Sequence, residues 1–195
     1  MTQLKNIETF SSLEKSDLIF LENLLEPKIF KKGDVLIKQG EIANNFIFLT
    51  SGIVSSVYKN KSKEFIRDFY FEPLIFTEME SFVKQVPAKF SVICVTDVTC
   101  QLLSHSDLEI AYSKIPTLRN VAYDLLVNGF INISNRLESL LTQNPEQRYL
   151  KLLNENPKLL HKIPLKMIAS YMGVTDVALS RIRNRISQRK TRLIQ

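Results

Sequence analysis

The chain has 195 residues, of which 45% are hydrophobic and 24% are charged, and its formal net charge is +6. This is the composition of an ordinary globular protein, and the length allows two compact domains with a core each. No apolar run is long enough to span a membrane, and the N-terminal MTQLKNIETFSSLEKSD lacks the apolar centre of a signal peptide. We therefore expect a cytoplasmic protein without a membrane partner.

The cysteines and histidines give little sign of metal or redox chemistry. Cys94 and Cys100 are the two cysteines, too few for the four thiolates of an iron–sulfur cluster. Their setting favours two small buried hydrophobic residues, with a redox pair as the alternative. The two histidines, His105 and His161, are too few for a histidine-rich metal site. The sequence therefore predicts neither a metal nor another cofactor.

The N-terminal half changes its hydrophobic period after about 25 residues. Residues 12–25 carry a leucine stripe typical of an amphipathic helix, and short β-rich runs then alternate with turn residues as far as Ser104. Many short strands at close spacing favour an antiparallel roll or barrel over a parallel sheet. The predicted strands cover residues 28–30, 35–38, 46–50, 53–58, 65–71, 89–95 and 98–104.

A short helix is predicted between these strands, at residues 77–84. Thr77 and Glu80 have the spacing of a capping box, in which Thr77 is the N-cap and Glu80 reaches back from the first turn. Pro87 ends the segment.

The longest predicted helix begins at Pro116 and runs to about Leu141. Its apolar residues form two surfaces, and we expect the roll to cover one and a second subunit to cover the other, rather than packing wholly within one chain. The first surface comprises Leu118, Val121, Ala122 and Leu125. The second is a coiled-coil seam spaced four, three, four and three residues apart: Leu126, Phe130, Ile133, Leu137 and Leu140.

The sequence TQNP at residues 142–145 breaks this helix and marks a domain boundary. The predicted parts are therefore an N-terminal domain (residues 1–115), a dimerisation helix (116–141) and a C-terminal domain (142–195). The last contains 11 Lys and Arg against 3 Asp and Glu, a charge of +8, whereas residues 1–141 contain 15 against 17. Such a basic domain indicates a polyanion as partner, although a solvated basic face is the alternative.

Residues 165–184, LKMIASYMGVTDVALSRIRN, have the spacing of a DNA-binding helix-turn-helix. Gly173 supplies the positive φ at the turn, and Thr175 is a suitable N-cap for the second helix. A plain αα-hairpin is the alternative, but it does not require a small residue, a glycine and a leucine at these offsets beside a basic face. The predicted packing positions are Ile168, Ala169, Met172, Val174, Leu179 and Ile182.

The order of these parts resembles the Crp/Fnr family of bacterial transcription regulators, over nearly the whole chain. FKKGDVLIKQGE and FIFLTSG are the matching roll segments, and RYLKLLNENPKLLHKIP and IASYMGVTDVALSRIR resemble the subgroup common in Bacteroidetes. The resemblance implies an α+β fold. A cyclic-nucleotide-binding-type β-roll (jelly roll) that senses an effector is joined by a long dimerisation helix to a C-terminal winged-helix-type helix-turn-helix domain, whose last wing strand would be very short.

In the family, a cyclic nucleotide phosphate is held by a helix N-terminus after a Gly-Glu pair and by an arginine before a serine. The matching residues here are Thr77-Glu78 and Lys89-Phe90-Ser91, so the glycine and the arginine are replaced. The Thr77 side chain stands where backbone must approach the phosphate, and the nearby glutamates oppose an anion. We therefore expect an unidentified small-molecule effector, or none, in preference to cyclic AMP.

In the DNA-reading helix the resemblance points to Thr175, Asp176, Val177, Ser180 and Arg181. Arg181 matches a base-reading arginine, which can bond bidentately to guanine. Asp176 and Val177 replace an arginine and a glutamate of the best-known members, so the preferred operator should differ; Asp176 either caps the helix or accepts from a cytosine amino group. Phosphate contacts are expected from Lys166, Thr175, Ser180, Arg183 and Arg185, and from the basic residues at positions 189, 190 and 192.

These features predict a dimeric transcription regulator, not an enzyme, that reads a palindromic operator in the major groove. The implied partners are double-stranded DNA, a second copy of the chain and RNA polymerase. A regulator that binds a cyclic nucleotide or another ligand through the retained Glu78 is the alternative. A cupin-like enzyme is disfavoured because no histidine pair lies in the predicted strands, and a protein-binding module because the C-terminal domain is so basic.

Overall fold

The computed structural model describes residues 10–61, 63–155 and 162–192. The sequence also indicates a short helical turn at residues 158–161, which lies outside the described residues. The strands are β1 (Glu26–Phe30), β2 (Val35–Ile37), β3 (Asn45–Ser51), β4 (Ile53–Asn60), β5 (Lys63–Phe71), β6 (Leu74–Phe76), β7 (Ser91–Cys94) and β8 (Val98–Ser104). The helices are α1 (Lys15–Asn23), α2 (Met79–Lys84), α3 (His105–Lys114), α4 (Leu118–Thr142), α5 (Pro145–Glu155), α6 (Leu165–Met172) and α7 (Asp176–Arg192).

The described strands form two antiparallel sheets, with the orders β1-β8-β3-β6 and β2-β7-β4-β5. Strands far apart in sequence are paired, as in β3 against β8, where Phe48 lies opposite Gln101. This confirms the predicted roll. The sequence pattern did not predict β6, because its residues, LIF, are all apolar and show no alternation; pairing of Ile75 with Phe48 defines it.

The core of the roll lies between the two sheets and includes both cysteines. Cys94 comes from β7 and Cys100 from β8, and each is buried and unpaired. Burial raises the pKa of the Cys94 thiol to about 12 and that of Cys100 to about 11, so both are protonated at neutral pH. They therefore occupy the positions of small hydrophobic residues, as the sequence favoured.

The outer face of the first sheet is covered by α1, α3 and the beginning of α4. Leu118 and Val121 of α4 are buried in the same cluster as Leu18 and Leu21 of α1 and Phe48 of β3. The prediction that the roll covers this surface of α4 is confirmed. The helix starts two residues later than predicted, at Leu118, because the chain through residues 115–117 makes a turn in which the Leu118 N–H donates to the Ile115 carbonyl (3.0 Å).

The remaining apolar surface of α4, its seam, is exposed. The five seam residues have between 43% and 71% of their surface accessible, whereas Val121 on the same helix is 1% accessible. Among the described residues, nothing covers the seam over about four turns of helix. Packing against the described residues of the same chain therefore does not account for the repeat. The seam residues are Leu126, Phe130, Ile133, Leu137 and Leu140.

The described part of the C-terminal domain contains α5, α6 and α7, and no strand occurs in residues 142–155 or 162–192. The wing expected from the resemblance thus has no counterpart in that part of the chain. Tyr149 and Leu152 of α5 share a core with α6 and α7, and this core is continuous with Ile53 and Phe69 on the outer face of the second sheet. The roll and the helical domain are therefore packed directly against each other.

Candidate nucleic-acid interface and effector region

The turn between α6 and α7 is closed by a glycine in the left-handed region. Gly173 has φ +68°, its N–H donates to the Ser170 carbonyl (3.0 Å), and the Val174 N–H donates to the Ala169 carbonyl (3.0 Å). These bonds satisfy carbonyls that the end of α6 would otherwise leave unpaired. The first helix spans the predicted residues, Leu165–Met172, and the glycine has the predicted role.

The second helix of the motif begins at Asp176 and is capped by the preceding threonine. The Thr175 hydroxyl accepts a hydrogen bond from the Ala178 N–H (3.2 Å), as predicted. Of the two roles considered for Asp176, capping is therefore taken by its neighbour, and the Asp176 carboxylate remains exposed in the first turn.

Burial divides α7 into a packing face and an exposed face, which is called the reading face because the sequence predicts that it contacts DNA. Leu179, Ile182 and Ile186 are buried against α5 and α6, which is the face that the apolar spacing predicted. The opposite side of the first two turns is open, and Val177 there has 61% of its surface exposed. The reading face comprises Asp176, Val177, Ser180 and Arg181, all exposed.

The other residues predicted to contact DNA differ in how exposed their side chains are and in whether they form ion pairs. Lys166 is exposed on α6, and Arg183 is half-buried. Arg185 is held by Glu146 of α5, with Nη1 2.9 Å from the carboxylate, and Arg189 bonds the same carboxylate. A phosphate would compete with Glu146 for these two arginines, so they contribute less to a DNA contact than their charge suggests. Nothing local in the sequence indicates a pairing across 39 residues.

The helix-turn-helix is tied to the roll by contacts at the end of α6. The Ile66 N–H, on the edge strand β5, donates to Ser170 Oγ (3.0 Å), and the rings of Phe69 and Tyr171 have centroids 5.4 Å apart. Arg136 of α4 donates to the Tyr171 carbonyl and lies 3.8 Å from the centroid of its ring. Strand β5, the long helix and the helix-turn-helix thus meet at one point.

In the roll, the residues that match the phosphate site of the family are used by the fold itself. Glu78 is 5% exposed and is the N-cap of α2, its carboxylate accepting from the Ser81 N–H (2.7 Å). The Thr77 hydroxyl donates instead to the Asn45 carbonyl on β3 (2.8 Å). The predicted capping box of Thr77 and Glu80 is therefore wrong by one residue, because a strand distant in sequence engages the threonine. An N–H that an anion would need is already bonded to Glu78.

The side chains of Lys89, Phe90 and Ser91 are also occupied. Lys89 points outward and pairs with Glu80, and this bond is the main reason that the pKa of the Glu80 carboxyl is lowered. Ser91 Oγ accepts from the Gln39 N–H (3.0 Å). Phe90 lies in the core of the roll with 4% of its surface exposed. The five predicted pocket residues are thus near one another but do not form an open anion site.

An arginine that the sequence did not single out lies beside Phe90. The guanidinium carbon of Arg67, on β5, is 4.7 Å from the centroid of the Phe90 ring, and Nη1 donates to the Tyr70 hydroxyl (3.4 Å). The positive charge is therefore directed at an aromatic face rather than at an open site. No sequence signal marks this residue, because β5 reaches Phe90 only through the pairing of β4 with both β5 and β7.

The described residues were also compared with the requirements of a metal site and of a membrane-spanning helix. No group of three or more histidine, cysteine, aspartate or glutamate side chains there is arranged to hold a metal ion. No helix in the same ranges combines the length and the apolar character that crossing a bilayer requires.

Comparison with known proteins gives one family match and several structures of the same fold. Residues 27–114 match the cyclic nucleotide-binding domain family. The structure is similar to the c-di-GMP-responsive global regulator CLP of Xanthomonas campestris, with a TM-score of 0.74 and 12% identity over 91% of this chain and 93% of that one. It is also similar to FixK2 of Bradyrhizobium japonicum, with a TM-score of 0.73 and 15% identity over 85% and 86% of the two chains.

A third similar structure is the catabolite activator protein of Thermus thermophilus. The TM-score is 0.59 and the identity 17%, over 93% of this chain and 87% of that one. These likenesses cover the roll, the long helix and the C-terminal helices together, and they confirm the fold class expected from the sequence.

Proposed function

We propose that this chain is a dimeric transcription regulator that binds DNA. A match to the cyclic nucleotide-binding domain family at residues 27–114 and the fold of the Crp/Fnr regulators support this. The observation that carries the proposal is the division of α7. Its packing face is buried, while Asp176, Val177, Ser180 and Arg181 lie exposed together on its first two turns. A helix held in this way by a capped, glycine-closed turn fits the major groove.

Three residues of the reading face each match the chemistry of a base edge. The Arg181 guanidinium can donate two hydrogen bonds to guanine, and the Asp176 carboxylate can accept from a cytosine amino group. Val177 offers an apolar surface to a thymine methyl group. Lys166 and Arg183 supply charge for the adjacent phosphates, with less from Arg185, which Glu146 holds.

The exposed seam of α4 supports a second copy of the chain as partner. Identical apolar seams pair about a two-fold axis, and such a pair carries two helix-turn-helix motifs. A two-fold protein reads a palindromic site, with half-sites one helical turn, or about 10 base pairs, apart.

The contacts at the end of α6 suggest how the roll could control the DNA-binding domain. Ser170 and Tyr171 are bonded to β5 and to Arg136 of α4, so a shift of the roll against α4 would move the helix-turn-helix. An effector that favours one arrangement would change the spacing of the two motifs and hence the DNA affinity.

The direct test is selection of bound duplexes from a random pool by the full chain. We expect enrichment of an inverted repeat, with half-sites about one helical turn apart. The selection is repeated with the variant Val177→Asp, which alters the reading face and leaves the packing face intact. It should change the selected half-site. A pool that stays random after selection would contradict the proposal.

Cyclic AMP at about 1 mM should leave the melting temperature of the protein unchanged, because Glu78 already accepts from the first turn of α2 and Phe90 replaces the arginine. A ligand at 100 times its Kd would stabilise the folded state by about 2.7 kcal/mol. For a chain of this length, that is a rise of roughly 5–11 °C. Thermal unfolding followed by circular dichroism is the measurement, with AMP as the control. A rise with cyclic AMP but not with AMP would show that the roll binds the cyclic nucleotide.

A further inference from the structure

We propose that the effector is a small, uncharged, largely aromatic molecule that binds in an apolar cavity between the roll and the first turns of α4. This inference rests on the proposed regulator function for its biological role, but the binding itself is independent of DNA. The cavity lies on the outer face of the sheet that contains β3. Neither Glu78 nor Phe90, which match the nucleotide site of the family, lines it, although Met79, the residue after Glu78, does; Phe90 lies in the core between the two sheets.

The cavity has a volume of about 280 Å³, is lined by several elements and is partly open to solvent. Phe46 and Phe48 of β3 form its floor, Phe82 of α2 and Tyr112 of α3 form two sides, and Val121 and Leu125 of α4 form the roof. A dry cavity of about 150 Å³ in another protein binds benzene, so this one is large enough for a two-ring ligand. The packing of the helices and strands that line it also makes it a preformed site.

The polarity of the lining selects the class of ligand. No lysine or arginine is among the described residues that line the cavity, and its one carboxylate, Glu109, is exposed, so the lining offers no buried charge to pair with an anion or a cation. Phe46 and Phe82 already meet edge to face, with centroids 4.6 Å apart, and a ligand ring can join this arrangement. The His105 ring lies 5.1 Å from that of Phe82 and provides a hydrogen-bonding group for one hydroxyl.

The cavity adjoins the surface proposed for dimerisation. Leu126 lines it and is also the first residue of the seam, with 50% of its surface exposed. Occupation would add contacts between the roll and α4 at this point. Because the same helix carries Arg136, which holds the end of α6, a ligand here acts on both the seam and the DNA-binding domain.

The test uses 2-naphthol as the probe and the full chain as the protein. The sequence contains no tryptophan, so naphthol emission can be excited without interference from the protein. We expect saturable binding with one site per chain. Ala122→Phe, which fills the cavity from α4, should weaken it at least tenfold. Asn120→Phe places the same ring on an exposed part of α4 outside the lining and should leave the affinity unchanged.

A second variant guards against a folding defect of Ala122→Phe. Val83 lines the cavity but has 63% of its surface exposed, so Val83→Phe narrows the mouth without disturbing the core, and it should also weaken binding at least tenfold. Absence of saturable binding, or equal affinity in Val83→Phe and the wild type, would overturn the proposal. Binding that persists when Ile133 and Leu137 are both changed to Asp would exclude the seam as the site and so support the cavity.

The two proposals fail separately. If naphthol binds and the cavity variants weaken it, but no duplex is selected from a random pool, the ligand site stands and the regulator function does not. If duplexes are selected and naphthol does not bind, the reverse holds. With both present, naphthol should change the affinity for the selected duplex at least threefold in the wild type and not in Val83→Phe.

Discussion

Replacing Arg181 by alanine should weaken binding to the selected operator by roughly 5- to 150-fold, which corresponds to ~1–3 kcal/mol for one bidentate base contact. Affinity for duplexes of random sequence should change little, because that binding depends on phosphate contacts. Arg181 is exposed on the reading face and has no ion pair with the described residues, so its removal leaves no buried partner and the fold is preserved.

The measurement is a titration of fluorescently labelled duplexes at fixed salt, with the operator and a scrambled duplex side by side. Arg185→Ala is the matched control, because it removes the same charge from the same helix at a residue held by Glu146. It should lower both affinities slightly and equally. If Arg181→Ala also lowered both equally, Arg181 would be a phosphate contact and the base-reading assignment would be wrong.

Replacing Ile133 and Leu137 together by aspartate should convert the dimer to monomers. Both residues lie in the exposed seam of α4, so the monomer gains two solvated carboxylates at little cost. A dimer would have to bury four, and the effective penalty is several kcal/mol per ion. Loss of the dimer should also abolish the preference for a two-fold operator over a single half-site, because the two helix-turn-helix motifs are no longer linked.

Sedimentation velocity at several concentrations distinguishes the two states. The control is Asn128→Asp with Asn135→Asp, which adds the same number of carboxylates to exposed positions elsewhere on α4. The control should remain dimeric. An unchanged dimer in the Ile133 and Leu137 double variant would move the interface away from the seam.

Features that depend on neighbours in the sequence were predicted closely. The first helix of the motif, the left-handed Gly173 and the N-cap Thr175 all have the predicted roles, because a helix end is determined by residues within about four positions. The amphipathic division of α4 was equally visible, since a helix fixes which residues share a face. Most strands were also predicted, from their alternation of apolar and polar residues.

Features that depend on contacts between distant segments were not predicted from the sequence. Thr77 fits an N-cap by sequence, yet the structure gives this role to Glu78 because Asn45 engages the threonine hydroxyl. The positions of Arg67 over Phe90 and of Glu146 between two arginines are likewise set by strand pairing and helix packing.

The sequence by itself therefore determined the type of protein: a roll, a long helix with a second apolar surface, and a basic helix-turn-helix. Periodicity, caps and charge are local properties, and they carry that information. The tertiary structure decided which side chains of the roll are available to a ligand. Whether a side chain faces a ligand, a core or another strand depends on residues tens of positions away. Contacts of this kind occupy the residues that match the family's phosphate site. They also bond Ser170 to β5 and form the apolar cavity beside α4.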